Sequence, residues 1–327
     1  MIRAGAIHQI ALFCNKPVNI KKELRLAYVC LGAICIIWGT TFLAMRIGVK
    51  EFPPFLFAGL RQFCAGFLLI TYLICIKKSK FPSWGNIGRQ ALGGFLMITL
   101  GNGLVTWAEV YVPSGVAAII CSLMPVWVVL INLTINRSEL PNGLIVFGVL
   151  TGLGGIILVF NENLADFVNS NYIWGITFIF IASLAWALGS VIIKRSSDGS
   201  NPFFNAGLQM LFGGVWCFAF SLLFDDLGGV QMTVRVGLSL AYLITIGSVA
   251  AFAMYVYSLT QLPVTIASLY SYVNPLVAVI LGWIVLDEKL NLKVGVAIVV
   301  TAVGIYLVNR GYQLKRQKAI DLSKMKS

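Results

Sequence analysis

Few residues in this sequence can do chemistry, and the first is Arg61, several residues inside the apolar run that opens at Pro54. A charge at the centre of a membrane helix costs about 2.5–3.5 kcal/mol on insertion scales, so it faces a cavity or a partner. Two roles fit. Arg61 holds a carboxylate, or its long side chain reaches to headgroups or a helix-end carbonyl. A shift of 148 residues pairs it with Gln209, which would take an uncharged group if both face one space. Asn102 stands between Gly101 and Gly103, presenting a donor and an acceptor where the backbone permits close approach. Its plainer role is an interhelical hydrogen bond worth about 0.6–2 kcal/mol.

Aromatic residues form a second set. Trp38 and Trp186 lie near the middle of their runs, too deep for the interfacial belt that usually explains Trp. They line a path or fill the core. Tyr255, Tyr257, Tyr270 and Tyr272, with Asn274, gather around one turn of the chain. Buried Tyr hydroxyls need partners, so such a cluster points to a wet cavity. Tyr255 and Tyr257 cannot share a face, because helical neighbours are three or four residues apart. Of the two, Tyr257 is assigned to the cavity, with Trp107 as its counterpart at a shift of 150. Pro125 and Pro275 each remove an intrahelical bond and are candidate hinges, although membrane helices also carry Pro for shape alone.

What is missing narrows the chemistry further. No Asp or Glu falls in the middle of an apolar run: Glu109 ends one, and Glu51, Asp225, Asp226, Asp287 and Glu288 sit at loop edges. A mid-membrane carboxylate relay lacks its main residue, and the sequence gives proton coupling through Glu109 no support. The single histidine, His8, excludes a histidine zinc site. Seven cysteines without a C-x-x-C pair read as small hydrophobes. Walker and nucleophile-elbow patterns are absent. No metal, cofactor or enzymatic activity is expected.

The elements that position these residues follow from composition. Of 327 residues, 59% are hydrophobic and 11% charged, with a mean hydropathy of +0.89, whereas soluble domains carry about 25% charged residues. Ten apolar runs are expected as spanning helices, near 26–48, 54–76, 90–110, 114–135, 143–160, 172–193, 203–224, 236–258, 263–286 and 292–310. Each approximates the length a bilayer requires. Connections as short as Gln261-Leu262 force antiparallel hairpins. The segment 1–25 reads as an N-terminal tail without the form of a cleaved signal peptide, and 311–327 as a basic tail. The net charge of +12 lies in short clusters between runs, which suits anionic lipid and not nucleic acid. Eighteen Lys and Arg fall on one side and five on the other, which places both termini in the cytoplasm.

The chain also echoes itself. At a shift of 148, Trp38 matches Trp186, Pro54 matches Pro202, Ala58-Gly59-Leu60 matches Ala206-Gly207-Leu208, and Gly66 matches Gly214. At 150, Pro113 pairs with Pro263 and Pro125 with Pro275; at 149, Glu139 pairs with Glu288 and Gly155-Ile156 with Gly304-Ile305. Residues 26–160 and 172–310 are thus expected to be two five-helix repeats. Because five is odd, the second enters the membrane inverted, the arrangement of secondary transporters with midplane sites. Gly148 and Gly152 form a G-x-x-x-G that fits close packing or a dimer seam.

Trp38-Gly39-Thr40-Thr41-Phe42, Pro53-Pro54 and Ala58-Gly59-Leu60-Arg61 resemble the first hairpin of EamA-type drug/metabolite transporters. The stretch from Pro113 to Ala118 with Met124-Pro125, then Glu139-Leu140 and Gly155-Ile156, resembles the fourth and fifth helices of that family. Pro263, Asn274-Pro275, Glu288 and Gly304 repeat the pattern, while Trp186-Ala187-Leu188-Gly189 departs from it. The resemblance spans about 26–310 and implies an all-α permease of ten helices that moves amino acids, other metabolites or drugs by alternating access, often outward. Thr41 completes the candidate binding set. The expected partners are a small-molecule substrate and membrane lipid, with the chain a monomer or weak homodimer in the plasma (inner) membrane. A nucleotide-sugar or phosphorylated-metabolite exchanger would want at least two cavity cations. A non-transporting scaffold would have a sealed core.

Overall fold

Lipid offers no partner to a free N–H or C=O, so apolar runs of this length must satisfy their backbones internally, as helices. The computed structural model describes residues 20–112, 114–134, 141–160, 170–195, 200–228, 230–277 and 292–324, and among them there is no strand. The helices are α1 (Ile20–Val49), α2 (Pro54–Cys75), α3 (Trp84–Ala108), α4 (Ser114–Cys121), α5 (Met124–Thr134) and α6 (Gly143–Phe160). They continue as α7 (Ser170–Arg195), α8 (Pro202–Phe224), α9 (Val234–Gln261), α10 (Val264–Ala267), α11 (270–277) and α12 (Leu292–Lys324). Six of them, α1–α3 and α7–α9, are long and apolar enough to cross a membrane. Large apolar side chains such as Ile36, Phe147, Leu222 and Leu223 face outward, where lipid removes the penalty water would impose.

The helix starts are legible in local chemistry. Ser83 caps α3 by accepting from Asn86 N at 3.3 Å, and Asn201 caps α8 by accepting from Phe203 N at 2.9 Å. Pro54 and Pro202 occupy the first helical position of α2 and α8, where the missing N–H costs nothing. Asp225, at the end of α8, accepts from Leu56 N at 2.8 Å and so caps α2 from outside. Both α3 and α9 contain a π-helical stretch, Gly94–Gly103 and Leu243–Ala250, beginning 149 residues apart.

Five expected spans differ from the observed helices. The first begins at Ile20 instead of about 26, so the helix takes in the last residues of the expected N-terminal tail. The third begins at Trp84 instead of about 90, because the Ser83 cap and the buried, mutually bonded Asn86 and Gln90 carry a helix through residues that hydropathy reads as loop. The fourth is interrupted at Ser122-Leu123, and Pro125 sits in the opening turn of α5. There its missing donor starts a helix and does not kink a continuous one. The ninth is broken between α10 and α11, and 278–286 lie outside the described residues. Helix α12 also continues beyond residue 310 through the basic segment as far as Lys324. The expectations for Pro113, Glu139, Glu288 and residues 1–19 fall outside the described residues.

Glycine brings the helices together. A Cβ on Gly66 of α2 would lie 2.5 Å from Leu211 N and 2.7 Å from Gly207 O of α8; one on Gly214 would lie 2.5 Å from Phe63 N. The same close approach joins α6 to α12, where a Cβ on Gly304 would meet Gly152 N at 2.4 Å and Gly148 would meet Gly304 O at 2.9 Å. The G-x-x-x-G at Gly148 and Gly152 is therefore a seam inside the chain. In lipid, such backbone proximity is the main source of helix attachment. Gly66→Val should lower the thermal unfolding midpoint in detergent by an amount equivalent to about 1–3 kcal/mol of overpacking. Gly85→Ala, with nothing within 4 Å, should leave it nearly unchanged.

Candidate functional site

The middle of the bundle holds a narrow cavity of about 80 Å³, room for several water-sized groups in this conformation. Trp38, Thr41, Arg61, Asn102, Trp186, Tyr270 and Asn274, all singled out in the sequence, contribute to its wall. Met45, Gln62, Cys121, Ser183, Gly247 and Ser271 join them without any signal in composition or spacing, as does Met124, marked only by the family resemblance. The wall is mostly apolar, with a small number of polar groups converging on it.

Arg61 is 3% exposed. Its Nε donates to Ser248 Oγ at 2.8 Å, and Nη1 reaches Met45 Sδ at 3.1 Å. Both partners are neutral, and among the described residues no carboxylate forms an ion pair with this guanidinium. A planar fork of five donors is thus only partly used. Next to it, Gln62 Nε2 donates to Asn102 Oδ1 at 3.3 Å, leaving the Gln62 carbonyl oxygen buried without a partner. The Ser183 hydroxyl is likewise buried and unbonded. Unmet donors and acceptors at one wall are the places a ligand's polar atoms can fill.

One end of the cavity is formed by rings. Trp38 contacts Trp186 edge-to-face, with centroids 5.6 Å apart and planes at 89°. It meets Tyr270 at 4.6 Å and Tyr255 at 5.2 Å. These offset and perpendicular geometries place the positive ring edge on the negative face. Trp38 Nε1 donates to Gly247 O at 3.0 Å, within the π-helical stretch of α9. Tyr255 Oη accepts from Trp186 Nε1 at 3.3 Å and shares a 2.8 Å bond with Ser190 Oγ. Asn274, with its amide nitrogen toward two carbonyls, donates to Cys35 O at 3.1 Å and Tyr270 O at 3.0 Å. It ties α11 to α1 while its residue lines the space. Thr41 donates to Trp38 O at 2.8 Å, within its own helix.

Three sequence candidates do not line the cavity. Gln209 is buried against α3, where its Nε2 donates to Gln90 Oε1 at 2.5 Å, in a polar string with Asn86, Asn205 and Ser200. Trp107 packs on Tyr111 and Phe178 near the end of α3. Tyr257 stacks on Phe203 with planes at 4° and donates to Glu23 Oε2 at the beginning of α1. The argument that Tyr255 and Tyr257 point apart is met by the geometry, but Tyr255 is the one in the central aromatic group. Its signal lay in Ser190 and Trp186, which could give its hydroxyl partners. Pro275 lies in α11 directly after Asn274. Tyr255→Phe, which deletes both bonds of a fully buried hydroxyl, should lower the unfolding midpoint by an amount equivalent to about 1–3 kcal/mol. Tyr306→Phe, at an exposed position, should not.

Compared with known proteins, the model of the EamA-like transporter family matches twice, over residues 25–161 and 173–310. The chain is 32% identical over 304 residues to an uncharacterized inner membrane transporter, YedA, of Escherichia coli, covering 91% of this chain and 95% of that one. An uncharacterized transporter of Bacillus subtilis, YoaV, is 24% identical over 280 residues, covering 84% and 94% respectively. Among solved structures, a crystal structure with 19% sequence identity superposes with a TM-score of 0.71 over 88% of this chain and 98% of its own, a likeness of fold.

Proposed function

The chain belongs to the EamA-like transporter family, and from that premise we propose that it is a secondary permease for a small organic solute bearing a carboxylate, such as an amino acid or related metabolite. The observation that carries this reading is Arg61, a buried guanidinium at the cavity wall bonded only to neutral partners. A solute carboxylate would supply the charge-assisted bonds this fork lacks. Asn102, Gln62 and Ser183 would bond the solute's other polar atoms, while Trp38, Trp186 and Tyr270 would cover its apolar part. The alternative of a phosphorylated solute is weaker, since Arg61 is the only Lys or Arg among the described cavity residues.

In the same reading the chain has ten spans arranged as two inverted repeats, 26–160 and 172–310, which rock about the cavity to expose it alternately to each side. The matched π-helical stretches and the paired glycines of α2 and α8 support it. Both termini lie in the cytoplasm, as the eighteen-to-five distribution of Lys and Arg favours. Net movement is outward, the chain acts as a monomer or weak homodimer, and Pro125 and Pro275 mark where the helices flex.

Binding to the native state alone raises apparent stability, by about 2.7 kcal/mol at a hundred times the dissociation constant. Detergent-purified protein should therefore unfold at a higher temperature with one or more carboxylates from a panel of amino acids, amines, sugars and phosphorylated metabolites. Arg61→Ala should abolish that shift. An equal shift in Arg61→Ala would remove the guanidinium from the site, and no shift with any compound would favour a non-transporting scaffold.

A further inference from the structure

The second buried charge-bearing group is Glu109, which closes α3 one residue beyond the span Trp84–Ala108. Its side chain is 1% exposed, and neither carboxyl oxygen has a hydrogen-bond partner. The surrounding cluster is apolar, with Met45, Val49, Val105, Ala108, Val112 and Ala117 among its buried members. Two cations act on the carboxyl, Arg46 from α1 and Arg61 from α2. Both are committed elsewhere: Arg46 donates to Val112 O at 2.6 Å, and Arg61 to Ser248 and Met45. From α4 the Cys121 thiol faces the same region, from α7 the Tyr172 hydroxyl shares the apolar cluster, and from α9 Tyr242 acts on Arg61. Glu109 is also tied to the cavity wall, because its N–H bonds Val105 O at 3.0 Å and both Val105 and Cys121 line that space.

A carboxylate without hydrogen bonds in an apolar shell is costly, and such groups take up a proton instead. Burial pushes the Glu109 carboxyl well above the usual carboxylate range, against the opposing pull of Arg46 and then Arg61. We propose that Glu109 is a proton-binding site coupled to the cavity: it carries a proton in the conformation described here and returns it to water when α1, α3 and α4 separate, linking solute movement to proton movement. The balance is simple, one proton taken from solvent onto the carboxylate oxygen on one face and given up to solvent on the other. The proposal rests on the transport reading, but its tests need no solute, so each can fail alone.

The linkage sign follows from the direction of the shift. A folded protein that binds this proton more tightly than the unfolded chain loses stability as pH rises above the ordinary carboxylate range. The unfolding midpoint of the wild type should thus fall towards alkaline pH relative to Glu109→Gln, which keeps the shape of the neutral acid. Infrared spectra of the wild-type protein in liposomes at pH 7 should contain the carbonyl stretch of a protonated carboxyl, and Glu109→Gln should lack it. A pH jump applied to liposomes on a solid-supported membrane should displace charge transiently in the wild type and in Glu109→Asp, and not in Glu109→Gln. Absence of the protonated band in the wild type at pH 7, or equal transients in wild type and Glu109→Gln, would overturn the proposal. The infrared test holds even for a variant that does not fold, since it is decided on the wild type.

Discussion

The centre of this protein is organised around keeping one guanidinium inside a bundle where water is scarce. Arg61 cannot shed its proton at physiological pH, so the surrounding helices must offer it dipoles. They do so with Ser248 Oγ and Met45 Sδ, one from each of two different helices. That requirement fixes how α1, α2 and α9 sit relative to one another. Ser248 reaches the guanidinium from the π-helical stretch of α9, which also turns Gly247 O toward Trp38 Nε1. Wide turns of this kind mark functional positions in helices more often than ordinary ones do. Here a single irregularity provides both the partner of the charge and the anchor of the central tryptophan.

A second consequence is that equivalent positions in the two halves of the sequence have taken unequal tasks. Arg61 and Gln209 occupy matched places in α2 and α8, yet one faces the cavity and the other is bonded to Gln90 within a polar string. The glycines beside them behave alike, with Gly66 and Gly214 both pressed against the facing backbone. Shape is shared where helices must touch. Chemistry diverges beside those contacts, with a charged group at the cavity wall from one half and an amide bonded into a polar string from the other.

How much of this could be read in advance depended on whether the signal was local. Apolar length and the need to satisfy every backbone group predicted helices whose ends fall close to those observed, as at Pro54–Cys75 and Gly143–Phe160. Arg61, Trp38 and Trp186 were legible because a charge or a tryptophan deep in an apolar run demands a reason. Helix α3 was misplaced at its start because Asn86 and Gln90 are polar yet buried, satisfied by partners over a hundred residues away in Asn205 and Gln209. Tyr257 was preferred to Tyr255 because nothing in spacing tells which of two opposed faces looks inward; Glu23, from the far end of the chain, decides it. Gln62 and Ser183 carried no signal at all, since neither residue type is unusual in a membrane helix.

The contact between Trp38 and Trp186 joins the two matched parts of the sequence through rings. These residues match at a shift of 148 and meet edge-to-face at 5.6 Å, so each half contributes one ring to a junction on the line between them. Ring contacts of this type are worth about 0.5–1.5 kcal/mol beyond area burial, comparable to a single hydrogen bond. Tyr255 and Tyr270 extend the junction onto α9 and α11, and the hydroxyl of Tyr255 is bonded on the α7 side only, to Ser190 and Trp186. If the halves rock as proposed, the ring faces can slide past one another, while Tyr255 travels with the tryptophan to which it is bonded. The ring contact does not cross that line alone: Trp38 Nε1 to Gly247 O and Arg61 Nε to Ser248 Oγ cross it too, so the junction combines ring contacts with two hydrogen bonds that any relative movement of the halves would have to exchange.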